Sequence, residues 1–88
     1  MAVKRINPMK LAQMQERLRV VEEEIPNYEE AIAATEQQLG VYVSAEETRR
    51  LTAVLEELRK SHASLSTEWE ELSITLDEQT AQEPAAAT

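Results

Sequence analysis

Apolar residues recur along the chain in two ladders that advance by three and four residues in turn. The first ladder comprises Leu11, Met14, Leu18, Val21, Ile25, Tyr28, Ile32, Thr35 and Leu39. The second comprises Leu51, Leu55, Leu58, His62, Leu65, Trp69, Leu72 and Leu76. A mean spacing of about 3.5 residues is the period of a coiled-coil seam. The pattern therefore predicts two long amphipathic helices, and the only glycine, Gly40, lies between them.

Helix-start and helix-stop signals flank both ladders. Asn7 precedes Pro8, which favours a helix start because the Asn side chain can accept from free N–H groups and proline at the first position loses no hydrogen bond. We expect Gly40 to end this helix in the left-handed conformation, and Ser44 with Glu47 to form a capping box for the next helix. The predicted organisation is a linker at 1–7, a hairpin at 8–79 with helices at about 8–39 and 45–78 around a turn at 40–44, and a disordered tail at 80–88.

A short turn between two long helices makes them antiparallel neighbours. Facing positions of such a pair have a nearly constant sum of residue numbers, and the two ladders meet this condition throughout. The predicted layers pair Leu39 with Thr48, Thr35 with Leu51, Ile32 with Leu55, Tyr28 with Leu58, Ile25 with His62, Val21 with Leu65, Leu18 with Trp69, Met14 with Leu72 and Leu11 with Leu76. The predicted fold class is all-α, a two-helix antiparallel coiled-coil hairpin with a left-handed supercoil.

Pro26 lies in the middle of the first predicted helix. Proline there costs about 3 kcal/mol and removes the hydrogen bond to the carbonyl of Glu22. Either the helix breaks and residues 27–30 cap a new segment, or it continues with a kink near Pro26. The ladder keeps its phase from Val21 to Tyr28, which favours the kink.

Composition limits the functions that the chain can have. Its 88 residues bound one small domain, and the lack of cysteine excludes disulfides and thiolate metal sites. No apolar run approaches the ~20 residues that span a bilayer, and residues 1–20 show no signal peptide, so we expect a cytoplasmic protein without a membrane partner. The net charge of −8, from 17 acidic and 9 basic residues, repels phosphate backbones on average. One glycine cannot build a P-loop or dinucleotide fingerprint, so this chain alone is not expected to be an enzyme.

A few polar and aromatic residues have two interpretations each. His62, the only histidine, is either a seam residue that sets helix register or a pH switch or base; its ring could also bond the carbonyl that Pro26 frees. Trp69 is either a core residue or, with its ring exposed, a stacking platform for a nucleobase. The glutamate runs at 22–24 and 70–71 indicate a solvated face, because successive helix positions point about 100° apart and do not converge on a metal.

The basic residues also have two interpretations. Lys4, Arg5 and Lys10 lie at the predicted base of the hairpin, Arg49 and Arg50 near its tip, Arg59 and Lys60 between them, and Arg17 on the face of Lys10. These residues could bind phosphates, or each group could form solvated ion pairs with the glutamates that flank it.

Three segments carry a resemblance to a known family. They read Arg-Ile-Asn-Pro-Met-Lys-Leu at 5–11, Glu-Glu-Glu-Ile-Pro at 22–26 and Glu-Trp-Glu-Glu-Leu at 68–72. Together they resemble the C-terminal coiled-coil domain of ABC-F proteins of the Uup-like branch, which are soluble tandem ATP-binding-cassette ATPases. The similarity extends from about Lys4 to Glu78. It departs at the turn, where the family often has Asp-Pro around an aromatic residue and this chain keeps only Tyr42.

The resemblance implies that the chain is a C-terminal piece of an ATPase that acts on ribosomes, and that this hairpin is a non-catalytic module contacting DNA or ribosomal RNA. ATP and Mg²⁺ would belong to the parent's ATPase domains, its partners in cis, and no cofactor is expected on the chain itself. Tethering would let the hairpin act with low affinity of its own. The residues expected on phosphates are Lys4, Arg5, Lys10, Arg17, Arg49, Arg50, Arg59 and Lys60.

A second hypothesis is a structural protein–protein hairpin that self-associates or clasps a partner helix. Val20, Val54 and Ile74 lie off the seam and could widen its apolar stripe. A monomer is favoured over a dimer.

Overall fold

Two long helices make up the computed structural model, which describes residues 5–82. Helix α1 spans Pro8–Leu39 and helix α2 spans Ala45–Gln82. Residues early in α1 contact residues late in α2, so the helices run antiparallel in a body that measures 64 × 22 × 21 Å. The predicted all-α helical hairpin is confirmed.

The N-terminal end of each helix is capped as predicted. Asn7 Oδ1 accepts a hydrogen bond from Met9 N at 2.8 Å, with Pro8 in the first turn. Ser44 Oγ accepts from Glu47 N at 3.0 Å. The reciprocal half of the capping box does not form, because the Glu47 carboxylate binds Arg50 instead.

The turn at Gly40 differs from the prediction. Gly40 has φ −70° and ψ −15°, which is right-handed backbone, and its N–H lies 3.1 Å from both the Glu36 and Gln37 carbonyls. Val41 N then bonds the Gln38 carbonyl at 3.2 Å. The left-handed C-cap was therefore wrong: the last turn tightens to bonds between residues three apart, which satisfies end carbonyls without a change of hand.

Helix α1 continues through Pro26, so the predicted break does not occur. Seam contacts on both sides of the proline stabilise the helix at this point, since tertiary packing supplies most helical stability in proteins. The kink stays a prediction. Helix α2 extends to Gln82, so the prediction of a disordered tail was wrong for residues 80–82, and residues 83–88 lie outside the described part of the chain.

The core between the helices is thin. Within residues 5–82 the buried apolar side chains are Val21, Leu51 and Leu55, and only Val21 is completely buried. Two buried polar residues complete the seam. Thr35 Oγ1 donates to the Ala31 carbonyl at 2.8 Å, which satisfies its hydroxyl inside the helix.

The other buried polar residue, Gln79, ties the linker to the end of α2. Gln79 Oε1 accepts a hydrogen bond from Ile6 N at 3.0 Å. The seam thus extends one step beyond Leu76, because Gln79 continues the same three- and four-residue ladder. Residue 6 was predicted as linker, and this bond holds it against the base of the hairpin.

The remaining ladder positions are mostly half-buried, as expected for a seam between only two helices. Two of them differ from the prediction. Thr48 is exposed rather than packed on Leu39. The side chain of Trp69, interpreted first as core, lies at the margin of the seam with 38% of the residue exposed.

Candidate interaction surfaces

A row of carboxylates on α1 receives hydrogen-bond donors from α2. Glu22, Glu29 and Glu36 follow one another at seven-residue intervals, which places them on one face of the helix. The Trp69 Nε1–H donates to Glu22 at 3.1 Å, His62 Nε2 lies 3.0 Å from Glu29 Oε2, and Arg59 Nη2 donates to Glu36 at 2.7 Å. The row links the helices outside the apolar seam.

The ring nitrogens of this row bond residues one turn beyond the seam partners that the sequence predicts. Trp69 was expected to face Leu18 and His62 to face Ile25, yet their ring nitrogens bond residues four positions later on α1. The physical reason is side-chain direction: each Cα–Cβ bond tilts toward its own helix N-terminus, so in an antiparallel pair the two tilts displace contacts from level positions. His62 therefore uses the Glu29 carboxylate and not the carbonyl freed by Pro26.

On the other side of the apolar seam, an arginine of α1 binds a glutamate of α2; we call this pair the arginine clamp. Arg17 donates through Nε to Glu68 Oε2 at 2.6 Å and through Nη2 to Glu68 Oε1 at 2.8 Å. These hydrogen bonds lower the pKa of Glu68 and raise that of Arg17. Both side chains are substantially exposed, so the clamp contributes register more than stability. It lies beside the predicted layer of Leu18 and Trp69, close to the expected axial alignment.

Ion pairs within single helices engage other cations. Arg19 binds Glu16 and Glu23 on α1, and its hydrogen bonds lower the pKa of Glu16. Arg50 lowers the pKa of Glu47 in the same way on α2. These glutamates and arginines neutralise one another at three- and four-residue spacing, the geometry that favours such pairs on a helix.

The cations predicted to bind phosphate divide into paired and unpaired residues. Ion pairs join Arg17 to Glu68, Arg50 to Glu47, Arg59 to Glu36 and Lys60 to Glu57. By contrast, Arg5, Lys10 and Arg49 are exposed and make no ion pair with any residue in 5–82. Arg5 and Lys10 lie at the base, and Arg49 lies on α2 near the tip. The structure does not gather the predicted residues into one patch, and Lys4 lies outside the described residues.

The tip of the hairpin exposes three apolar residues in a row. Val41, Tyr42 and Val43 are 68%, 75% and 71% exposed. This cluster was predicted only as a turn; the signal that could have found it is a run of apolar residues with no partner in either ladder. An exposed apolar cluster at the end of a rod is a feature of interaction surfaces.

A groove runs beside Trp69 at the middle of the hairpin. Its lining residues are Glu22, Ile25, Pro26, Ser66, Trp69 and Glu70. The indole is anchored by its bond to Glu22 and partly open to solvent. The groove thus satisfies the condition of partial exposure that the stacking hypothesis for Trp69 requires.

The carboxylates of the described residues do not gather into a metal site. Within residues 5–82 no group of three or more His, Asp or Glu side chains is placed to hold a metal ion. Neither α1 nor α2 has an apolar stretch long enough to cross a bilayer.

Comparisons with known proteins return no relative: no family model, no curated protein and no solved structure matches the chain.

Proposed function

We propose that the chain is a non-catalytic interaction module, the C-terminal coiled-coil hairpin of an ABC-F type ATP-binding-cassette protein, and that it contacts ribosomal RNA or DNA. The three unpaired cations carry this proposal. They are Arg5 and Lys10 at the base and Arg49 near the tip. No ion pair within residues 5–82 neutralises their charges, in contrast to the other cations predicted to bind phosphate.

The shape of the hairpin supports a role as an arm. Two helices of 32 and 38 residues lie side by side, and both connections to the rest of a longer chain would leave from the same end. The tip is then presented at about the full 64 Å length of the body. The segments that carry the family resemblance have structural roles: Asn7 and Pro8 start α1, and Pro26 and Trp69 line the same groove.

The net charge sets the expected strength of binding. A charge of −8 opposes long-range attraction to a polyanion, so the isolated hairpin should bind weakly. A tethered module compensates through local concentration. ATP hydrolysis belongs, in this proposal, to the parent's cassette domains, in the cytoplasm where ribosomes reside.

The experiment is a titration of the chain against ribosomes, duplex DNA and single-stranded oligonucleotides, each at low and at physiological salt. The proposal expects saturable binding to at least one of them, weakening as salt rises. Replacing Arg5 and Lys10 by Gln should lower the salt slope by about one for each phosphate-binding cation removed. The matched control replaces Arg50 and Lys60 by Gln, which removes two ion-paired cations and should leave the slope unchanged. No saturable binding even at low salt would refute a nucleic-acid contact made by the hairpin itself.

The exposed apolar tip favours a second candidate, a protein–protein contact. Val41, Tyr42 and Val43 could enter an apolar pocket of a partner, and Val54 and Ile74 are also exposed, at 37% and 59%. Sedimentation equilibrium separates self-association from the rest: a monomer at high concentration rules out pairing of hairpins. A Val43→Ser variant that no longer captured a partner but still bound nucleic acid would support the tip contact.

A further inference from the structure

The groove beside Trp69 contains none of the basic residues that are proposed to bind phosphate. It measures about 380 Å³ and lies between the middle of α1 and the late part of α2. Its apolar wall comprises Ile25, Pro26 and Trp69. The Trp69 ring is fixed by its 3.1 Å bond to Glu22 yet keeps 38% of the residue exposed. A fixed aromatic ring that stays partly open is a preorganised contact surface.

The polar groups of this groove are rich in acceptors and poor in positive charge. Glu22 and Glu70 supply two carboxylates, Ser66 supplies a hydroxyl, and no lining residue is a cation. Pro26, another lining residue, has no N–H, so the backbone carbonyl of Glu22 lacks the donor that a helix normally places four residues later. The groove thus combines an indole with negative charge and spare acceptor capacity.

An arginine side chain matches each of these features. Its planar guanidinium stacks on the face of an indole, where the cation is attracted to the ring. Its N–H groups can donate two hydrogen bonds to one carboxylate or a single hydrogen bond to a carbonyl oxygen. The guanidinium itself has no hydrogen-bond acceptor. A phosphate backbone, by contrast, would meet two carboxylates and no cation. We propose that the Trp69 groove binds an arginine-bearing segment of a protein partner, on a surface separate from Arg5, Lys10 and Arg49.

The test uses Trp69 as its own reporter, because it is the only tryptophan in the chain. The intact chain is titrated with a blocked Leu-Arg-Leu tripeptide, and indole fluorescence is followed. Matched peptides carry citrulline or lysine in place of the arginine. Citrulline keeps the shape of the side chain without its charge, and lysine keeps the charge without the planar pair of N–H donors. We expect a saturable change with the arginine peptide, weaker binding of the lysine peptide and no saturation with citrulline.

Variants of the rim assign the signal to the groove. Replacing Glu22 and Glu70 by Gln should raise the half-saturating concentration at least about fivefold, since two charge-assisted hydrogen bonds weaken. The control replaces the exposed Glu46 and Glu56 by Gln, which removes two negative charges that lie away from the groove. It should change the half-saturating concentration less than about twofold. Ser66→Lys places a cation in the groove with both carboxylates intact. It should weaken binding at least as much as the double variant, and it guards against misfolding of that variant.

Three results would overturn the proposal: equal responses to the arginine and citrulline peptides, equal effects of the rim and control variants, or no saturable response at all. A separate titration uses single-stranded RNA. If RNA quenched Trp69 saturably and the Glu22 and Glu70 replacements strengthened that binding, the groove would be a base-stacking platform and not an arginine site. This last result would leave the phosphate contacts of Arg5, Lys10 and Arg49 as a separate question.

Discussion

Truncation of Val21 tests the seam where it is tightest. Val21 is completely buried between the helices. Val21→Ala removes two buried carbons, worth about 1.6 kcal/mol at ~0.8 kcal/mol each. A remaining cavity of about 40 Å³ adds about 1 kcal/mol at ~24 cal/mol per Å³, and the higher helix propensity of alanine recovers about 0.5 kcal/mol. The expected net loss of unfolding free energy is about 2 kcal/mol.

Val54 provides the matched control on the other helix. It is 37% exposed, so the same substitution loses about 1 kcal/mol of transfer free energy, recovers about 0.5 kcal/mol in propensity and leaves no enclosed cavity. The assay is urea and thermal unfolding followed by far-UV circular dichroism. For a domain of this size the Val21 variant should melt roughly 8–16 °C lower, and the Val54 variant only about 2–4 °C lower. Equal losses at the two positions would refute the seam as described.

Three further predictions concern the ends and flanks of the hairpin. Because the Arg17 hydrogen bonds lower the pKa of Glu68, this pair adds stability above the ordinary carboxyl pKa, and that stability is lost as pH falls through the lowered pKa of Glu68. The unfolding free energy of Arg17→Gln should therefore fall less steeply with decreasing pH than that of the original chain below about pH 5. Parallel curves for the two proteins would contradict the pairing. Gly40→Ala should cost no more than about 0.5 kcal/mol, because φ −70° suits alanine and the added Cβ, 3.2 Å from the Gln37 carbonyl oxygen, needs only a shift of a few tenths of an ångström; a loss above about 1 kcal/mol in urea unfolding would show that the turn cannot make this shift. Gln79→Ala should cost about 1 kcal/mol or more and speed hydrogen exchange at the Ile6 amide; unchanged Ile6 protection would show that this bond is not made in solution.

Local rules predicted most of the hairpin because each works within one or two turns of the chain. The ladder spacing located both helices, and the cap chemistry of Asn7 and Ser44 located their starts to the residue. The phase of the ladder across Pro26 correctly favoured a continuous helix. These features depend on neighbouring residues and on one apolar face, which the order of amino acids records directly.

Features that depend on contacts between the helices were harder to predict. Level pairing placed Trp69 and His62 opposite apolar residues, whereas the opposed tilt of the side chains takes both to glutamates one turn further along. Gln79 looks like a surface residue in the sequence, and only the fold brings it to Ile6. Charge alone could not separate Arg49 from Arg50, because pairing depends on which carboxylate each arginine reaches.

That last contrast provides the most direct test of the proposed function. Arg49 and Arg50 are neighbours with the same charge, but Arg50 binds Glu47 through two hydrogen bonds and Arg49 has no ion-pair partner within residues 5–82. Arg49→Gln and Arg50→Gln change the net charge equally. We would measure the binding of each variant to whichever of ribosomes or DNA the intact hairpin binds, across a range of salt. We expect Arg49→Gln to weaken binding and lower the salt slope, and Arg50→Gln to leave both nearly unchanged. Equal effects of the two substitutions, or none from either, would contradict the proposal.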